Sequence, residues 1–288
     1  MVPLIPPHEL AALLTADDPA HRPVVLDVRH RLGGPPGRPD HDAAHLPGAV
    51  FLDIDTDLSD PPGPAGRHPL PAADRLQAAL RGAGVRDGSR VVAHDDGNGS
   101  VAARAWWLLR WAGLPADRVA VLDGGYAGWV AAGLPTTAEP SRPEPGDVTV
   151  RPGGMPVVDA DGAAELGRTG VLLDARAAAR YRGEVEPVDP RAGHIPGARN
   201  APATELVGPD GHWLPPQVLA QRFAGLGFGA DVADVGAYCG SGVTAAALVL
   251  AAEYAGVRPP SRPIALYTGS WSNWSADPQR PAATGAAP

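Results

Sequence analysis

The sequence contains no lysine, since all 24 basic residues of the 288-residue chain are arginine. Without lysine, the chain cannot form a Schiff base with pyridoxal phosphate or build the Gly-Lys-Ser phosphate loop of Walker-type ATPases. There is also only one cysteine, Cys239, which excludes an intrachain disulfide, a Cys-x-x-Cys redox pair, an iron–sulfur cluster and a multi-cysteine zinc site. The chemistry of Cys239 therefore has to be that of a lone thiol.

Acidic residues outnumber basic ones, 32 to 24, so the formal net charge is -8. Binding to nucleic acid or to an anionic membrane needs a basic face, so neither is expected as a partner. The chain has no run of about 18 apolar residues. Its first residues, MVPLIPPHEL, lack the basic and apolar regions of a signal peptide. We expect a cytoplasmic protein.

Short segments of the first half return in the same order in the second half. VVLDVR at Val24 is repeated as VLLDAR at Val171, and HLPGAV at His45 as HIPGAR at His194. VVAHD and LDGGYAGW of the first half match VGAYC and YTGSWSNW of the second. Four matches at a spacing of about 145 residues predict a duplicated domain.

Each half alternates short β-branched runs with helical patterns, which predicts an α/β fold with a mostly parallel sheet. Predicted strands are Val24–Val28, Val91–His94 and Val119–Leu122, and AARAWWLLRWAG between the last two is a predicted helix with core tryptophans. Six prolines between Pro135 and Pro156 indicate a semi-rigid linker. We therefore assign an N-terminal domain to residues 1–140, a linker to 141–156 and a C-terminal domain to 157–288.

The lone cysteine begins a Gly-rich turn, CGSGVT, between a predicted strand, Val235–Tyr238, and a predicted Ala-rich helix, Val243–Ala255. Open α/β folds place their sites at the carboxyl ends of parallel strands. Glycines allow a tight turn with inward amides, and the helix start adds the positive end of its dipole. We expect this nest to favour a reactive Cys239 thiolate over a merely buried thiol.

Other polar pairs are interpreted as structural. His41 and His45 have the spacing of a helical metal pair, but the following Pro-Gly predicts a loop, and the second copy lacks the first histidine. His45 and His194 are expected to bond backbone groups. The pairs Asp27–Arg29 and Asp174–Arg176 occur in both halves although only one half has a cysteine, so we expect them to support the fold.

The paired His-[Leu/Ile]-Pro-Gly-Ala segments, the segment DGGYAGW at Asp123 and the loop CGSGVTA at Cys239 together make the chain resemble a two-domain sulfurtransferase of the rhodanese family. The resemblance implies two tandem rhodanese-like domains, each a mostly parallel sheet flanked by helices, with the nucleophile in the second domain only. Asp95 takes the cysteine's place in the first. The resemblance implies no cofactor and no metal.

The mechanism that the resemblance implies is a two-step transfer, in which Cys239 takes a sulfane sulfur from a donor as a persulfide and passes it on. The acceptor would be a thiol, such as thioredoxin or a small thiol, or cyanide. Relatives that use thiosulfate place cations after the nucleophile, whereas Gly240 and Ser241 stand here, so the loop resembles that of members using 3-mercaptopyruvate. Thiosulfate remains the alternative donor.

The same resemblance assigns roles to individual residues. A proton relay would consist of Ser241, His68 and Asp55. Arg180 would bind the negative end of the donor, with Arg182 or Arg191 as alternatives. The remaining substrate-binding residues would lie in the loop itself: Gly240, Gly242, Val243 and Thr244.

Two other functions have weaker support in the sequence. A phosphatase of related architecture needs an arginine as the sixth residue after the cysteine, and Ala245 stands there. A non-catalytic binding module would not need the intact CGSGVTA loop. Both are weaker hypotheses than sulfur transfer.

Overall fold

The computed structural model describes residues 2–18, 22–229, 232 and 234–288. The chain forms two compact units. The first comprises Met1–Asp60, Pro71–Gly154 and Val207–Trp213, and the second comprises Pro61–Leu70, Met155–Leu206 and Leu214–Pro288. Each unit therefore includes a short segment from the opposite half of the sequence.

The first unit is a parallel five-stranded sheet, flanked by helices, with strand order β1-β5-β4-β2-β3. Its strands are β1 (Leu4–Ile5), β2 (Val24–Asp27), β3 (Val50–Phe51), β4 (Val91–His94) and β5 (Val119–Leu122). Its helices are α1 (Pro7–Leu14), α2 (Arg38–Ala43), α3 (Ala73–Gly82), α4 (Ser100–Trp111) and α5 (Gly125–Ala131), with a 3-10 turn at Ala116–Arg118.

The second unit repeats this architecture, with strand order β6-β10-β9-β7-β8. Its strands are β6 (Val157–Val158), β7 (Val171–Asp174), β8 (Ala198–Asn200), β9 (Val235–Tyr238) and β10 (Ala265–Tyr267). Its helices are α6 (Ala160–Thr169), α7 (Ala178–Tyr181), α8 (Pro216–Gly225), α9 (Ala246–Tyr254) and α10 (Ser270–Ala276), with a 3-10 turn at Ala203–Glu205.

The predicted α/β class and duplication are confirmed. The strands β4, β5 and β9 have the predicted bounds, and β2 ends one residue early at Asp27. β4 and β9 are buried along their whole length, as expected for strands covered on both faces. Each is the central strand of its sheet, so the turns that follow them open at the carboxyl edge where α/β sites form.

The predicted role of the tryptophans in α4 is confirmed. Trp106 and Trp107 are fully buried, and Trp111 is nearly so. The rings of Trp107 and Trp111 stack one helical turn apart, with centroids 6.4 Å from each other. Their apolar area therefore stabilises the unit as core and offers no platform to a ligand.

A buried aspartate–arginine pair follows the second strand of each unit. Arg29 donates to Asp27 at 2.7 Å and to the Ala44 carbonyl at 2.8 Å. Arg176 repeats both contacts, donating to Asp174 at 2.6 Å and to the Gly193 carbonyl at 2.7 Å. The matched geometry confirms that these pairs support the fold.

The histidine expectations are confirmed in part. His45 bonds the carbonyls of His41 and Glu139, and His194 bonds that of Tyr181, so both hold backbone as expected. The predicted loop at His41 is wrong, because His41 lies within helix α2. Its Nδ1 lies 2.8 Å from Asp27 Oδ2, which gives the ring a structural partner.

The Pro-rich segment is hydrogen-bonded to the first unit along its second half. The Gly146 amide donates to the Arg81 carbonyl at 2.8 Å, and the Gly154 amide donates to the Trp111 carbonyl at 3.1 Å. Over the described residues, no helix has both the length and the apolar character needed to cross a membrane.

His94, the last residue of β4, makes the stability of the first unit dependent on pH. Its ring is fully buried, and neither nitrogen has a hydrogen-bond partner among the described residues. Burial lowers the pKa of His94 below its ordinary value of 6.5, although nearby Asp27 opposes the shift. The folded state therefore holds the neutral ring, while the unfolded chain takes up a proton as the pH falls through 6.5.

We predict that the free energy of unfolding decreases as the pH is lowered from 7.5 to 5.5, by up to about 1.4 kcal/mol per pH unit. His94→Phe should flatten this dependence, because Phe keeps the ring and cannot take a proton. Thermal or urea unfolding at the two pH values measures it, with exposed His8→Gln as the control. The buried Asp27 does not affect this pH range. Its pKa is lowered in the folded protein, so the stability that it contributes is lost only when the pH falls into the strongly acidic range. An unchanged pH slope in His94→Phe would contradict the assignment.

Candidate active site

Cys239 follows β9 directly and lies at the carboxyl edge of the sheet of the second unit, as predicted. It is 2% exposed, and the Gly242 amide donates to its Sγ at 3.1 Å. A backbone N–H aimed at sulfur stabilises negative charge there without any metal. The turn therefore has the inward amide that the anion-nest prediction requires.

Gly242 is required by this turn for two reasons. Its φ is +80°, a left-handed conformation that favours glycine. A Cβ at this position would lie 2.5 Å from the Thr268 carbonyl oxygen, which is closer than real contacts allow. The amide that reaches Cys239 Sγ thus depends on the absence of a side chain.

Ser270, which was not predicted from the sequence, fixes the backbone of Cys239 through its hydroxyl group. Its Oγ accepts from the Cys239 amide at 3.1 Å and donates to the Tyr267 carbonyl at 2.8 Å. Its φ of +53° is strained for a residue with a side chain. The matching residue of the first copy is Gly125, with φ +55°, so the exchange of Gly for Ser within the repeat was the available signal.

The helix after the loop begins later than predicted, at Ala246 instead of Val243. The amides of Ala246, Ala247 and Leu248 bond carbonyls three residues back, which tightens the chain into turns before the α-helix starts. Val243 and Thr244 consequently lie in the turn between Cys239 and the helix, and their expected role in substrate binding stays a prediction. Val243 is buried and Thr244 half-buried.

Ser241 and His68, two members of the expected relay, are in contact. The Ser241 Oγ lies 2.7 Å from His68 Nδ1, and both residues are buried. His68 reaches this position because Pro61–Leu70 packs within the second unit. The pair places a titratable ring, through a hydroxyl, two residues from the nucleophile.

Asp55, the expected third member, belongs to the first unit, after β3. Its side chain is 57% exposed, and its carboxylate lies 3.8 Å from His30 Nδ1. The proposed role of Asp55 in the relay stays a prediction.

Arg180 lies beside the loop and is held by carboxylates. Its Nη2 donates to Glu186 at 2.6 Å and to Asp189 at 3.0 Å. A Cβ built on Gly240 would lie 3.6 Å from Arg180 Nη1, so the guanidinium flanks the residue next to Cys239. This position is compatible with binding the negative end of a donor.

A second arginine, Arg67, approaches the same point and was also missed. A Cβ on Gly240 would lie 3.1 Å from its Nη2, and its Nη1 donates to Asp189 at 2.6 Å. The loop itself contains no cation, as its sequence shows, but Arg67 joins Arg180 in bringing positive charge to it from other segments. The available signal was the position of Arg67 next to His68 in GRHPLP.

Arg191 contacts backbone carbonyls, and its expected role in substrate binding stays a prediction. Its guanidinium donates to the carbonyls of Trp274, Ser275, Asp277 and Arg280, at 2.7–3.1 Å. These carbonyls end helix α10 and the segment after it, so the side chain caps a helix C-terminus. Arg182, the other alternative, pairs with exposed Glu184 at 2.6 Å.

The matching turn of the first unit contains a carboxylate where the second has a thiol. Asp95 Oδ1 accepts from the amides of Gly97 and Gly99, and Oδ2 accepts from those of Val101 and Ala102, at 3.0–3.1 Å. Four converging amides make an anion nest, and here the chain fills it with its own side chain. Burial raises the pKa of Asp95, and the amide hydrogen bonds oppose that rise. The repeat thus shows that the turn after this strand directs N–H donors to a side-chain acceptor.

Taken together, the second unit presents a buried thiol with an amide on its sulfur, a Ser–His pair and two flanking guanidiniums. Such a set can stabilise a thiolate, bind a small anion and move a proton. It suits nucleophilic chemistry on a small anionic substrate.

Comparisons with known proteins agree with this geometry. The model of the rhodanese-like domain family matches residues 6–132 and 159–277. A probable 3-mercaptopyruvate sulfurtransferase of Pseudomonas aeruginosa is 48% identical, over 98% of this chain and 98% of that protein. A putative thiosulfate sulfurtransferase of Mycobacterium tuberculosis is 42% identical, over 99% of this chain and 98% of that protein.

Among solved structures, the 3-mercaptopyruvate sulfotransferase SseA of Escherichia coli superposes with a TM-score of 0.81 at 34% identity. The match covers 94% of this chain and 100% of that one. The two matched domains, the duplicated sheets and the cysteine turn lead to one conclusion: the chain belongs to the rhodanese family.

Proposed function

We propose that this chain is a sulfurtransferase that moves a sulfane sulfur from 3-mercaptopyruvate to a thiol or cyanide acceptor through a persulfide on Cys239. The observation that carries the proposal is the Ser241–His68 contact of 2.7 Å beside the nucleophile. The names of the relatives from Pseudomonas aeruginosa and Escherichia coli support the same donor.

In the first step, the Cys239 thiolate attacks the donor sulfur, and the carbon–sulfur bond breaks with its electron pair moving to carbon. The carbanion formed is the enolate of pyruvate, which takes one proton to become pyruvate. The donor thiol loses one proton as its sulfur becomes the terminal sulfur of the persulfide, so protons balance. Ser241 and His68 can carry that proton, because hydroxyl and imidazole exchange protons within hydrogen-bond reach.

This proton requirement separates the two donors. Sulfur transfer from thiosulfate releases sulfite, and no carbon atom has to be protonated. A Ser–His pair would therefore add little to that reaction. Thiosulfate remains the second candidate, because Arg67 and Arg180 supply positive charge near Gly240 and a 42% identical relative is named for that donor.

In the second step, the acceptor attacks the outer sulfur and Cys239 leaves as a thiolate. The Gly242 amide, 3.1 Å from Sγ, stabilises that leaving group as it stabilises the nucleophile. A thiol such as thioredoxin or a small thiol, or cyanide, can act as the acceptor.

We also propose that residues 1–140 carry no transferred sulfur themselves, although they supply His68 and Arg67 to the site. The position that matches Cys239 is Asp95, which accepts four amide hydrogen bonds and has no nucleophilic sulfur. The division into domains 1–140 and 157–288, joined by residues 141–156, is part of this proposal. The family matches at 6–132 and 159–277 support it.

Cys239→Ser should abolish transfer from either donor, because no other thiol exists to hold the sulfur. Incubation of the parent with donor should add the mass of one sulfur atom, located on Cys239 by peptide mass spectrometry.

Mercaptopyruvate should exceed thiosulfate by at least about ten-fold in kcat/KM, or about 1.4 kcal/mol. Thiocyanate release with cyanide measures both donors. Equal or reversed preference would point to a thiosulfate sulfurtransferase.

Ser241→Ala should slow mercaptopyruvate turnover by about 100-fold, at the low end of what proton transfer contributes. Thiosulfate turnover should change much less, since that reaction puts no proton on carbon. Pyruvate formation and thiocyanate release give the two rates, with the exposed Ser261→Ala as control. Equal loss with both donors would mean that the hydroxyl only shapes the loop.

Asp95→Ala should lower the free energy of unfolding by about 2 kcal/mol, because four amides, two of them in buried hydrogen bonds, lose their acceptor. Per folded molecule, persulfide formation on Cys239 should stay close to the parent level. Urea unfolding and persulfide mass measurements test the two statements separately. Loss of persulfide formation in a folded Asp95→Ala protein would show that the Asp95 turn takes part in the chemistry.

A further inference from the structure

One carboxylate, Asp189, joins the two arginines that approach the nucleophile loop. Its Oδ1 accepts from Arg67 Nη1 at 2.6 Å, and its Oδ2 accepts from Arg180 Nη2 at 3.0 Å. Arg67 comes from the segment before α3 and Arg180 from α7, so Asp189 brings together guanidiniums that are distant in sequence. Its side chain is only 3% exposed, which makes these contacts its main environment.

The opposite edges of the two guanidiniums face the loop. Arg67 Nη2 and Arg180 Nη1 lie 3.1 and 3.6 Å from the point where a Cβ of Gly240 would stand. Neither of these nitrogens is used by Asp189. Arg67, Arg180 and Asp189 thus form a clamp whose N–H donors open next to Cys239.

The charge around this clamp is balanced. Glu186 pairs with Arg180 at 2.6 Å and with Arg176 at 3.5 Å, and Arg176 pairs with Asp174. Burial alone would raise the pKa of Glu186, but hydrogen bonds from Arg180 and two backbone amides hold it below its ordinary value. Three arginines therefore face three carboxylates, and the network is formally neutral.

We propose that Asp189 sets the donor preference of this site, by joining Arg67 and Arg180 into one clamp and by cancelling enough of their charge that a singly charged donor is favoured over a doubly charged one. The inference rests on the proposed function, because mercaptopyruvate carries one carboxylate and thiosulfate is a dianion. Asp189 is a positioning residue, and Arg67 is a donor-binding residue beside Arg180.

The physical reason is the size of the electrostatic energy near buried charge. Each unit of charge on the donor interacts with the net charge of the clamp, and the interaction is strong where water is excluded. Adding one positive charge by neutralising Asp189 therefore favours a dianion more than a monoanion. In the parent, the N–H donors can still orient a carboxylate, while the neutral network gives a dianion little extra stabilisation.

Three variants separate charge from shape. Asp189→Asn keeps the shape and removes the charge, whereas Asp189→Glu keeps the charge and alters the shape. Glu184→Gln is the control, because it removes the same charge from the exposed partner of Arg182 in the same region. The readout is the ratio of kcat/KM for thiosulfate to that for mercaptopyruvate, taken on one preparation, so that partial unfolding cancels.

We expect Asp189→Asn to raise this ratio by roughly ten-fold or more, and Asp189→Glu and Glu184→Gln to leave it within about two-fold of the parent. Arg67→Gln should shift the ratio the opposite way, which provides a test if Asp189→Asn does not fold. An unchanged ratio in both Asp189→Asn and Arg67→Gln would overturn the inference alone. A parent that transfers no sulfur from mercaptopyruvate, or that prefers thiosulfate, would overturn the proposed function as well.

Discussion

Amide groups that converge after the central strand of each sheet organise both halves of this chain. A parallel strand that ends in a Gly-rich turn before a helix leaves several N–H groups without carbonyl partners, and these groups must find an acceptor. In the first unit Asp95 is that acceptor, with four hydrogen bonds. In the second unit the Gly242 amide meets Cys239 Sγ. The two turns thus differ at one matching position. Asp95 occupies the amides of the first turn with its own carboxylate, whereas Cys239 places a nucleophilic sulfur in the second.

The contacts behind the nucleophile explain why its turn keeps this shape. Ser270 bonds the Cys239 amide, while the amides of Trp271 and Ser272 donate to the carbonyls of Cys239 and Gly240, at 2.9 and 2.8 Å. The strained φ of Ser270 is held by these bonds and by the Tyr267 carbonyl. Strain retained beside a nucleophile is typical of a site whose geometry is fixed before substrate arrives.

Charge near the thiol is both concentrated and compensated. Arg67 and Arg180 bring guanidiniums to Gly240, and Asp189 with Glu186 cancels their charge within hydrogen-bond distance. Nearly buried arginines without such partners would be costly. The carboxylates that stabilise these arginines in the folded protein also lower the positive electrostatic potential at the loop, where a donor would bind. Stability and selectivity therefore depend on the same contacts.

The sequence by itself determined the duplicated α/β fold, the position of Cys239 after β9 and the structural role of the Asp–Arg pairs, because these follow from local periodicity and from repetition. The Ser241–His68 pairing was reached only through family resemblance. Arg67 and Asp189 were missed because they lie 122 residues apart in the chain, and Ser270 because its bond to the Cys239 amide spans 31 residues. The carbonyls that Arg191 contacts lie 83 to 89 residues away. Only the tertiary structure decided which arginine reaches the loop and which caps a helix, since a guanidinium carries the same charge in either place and its role depends on the acceptors that folding brings to it.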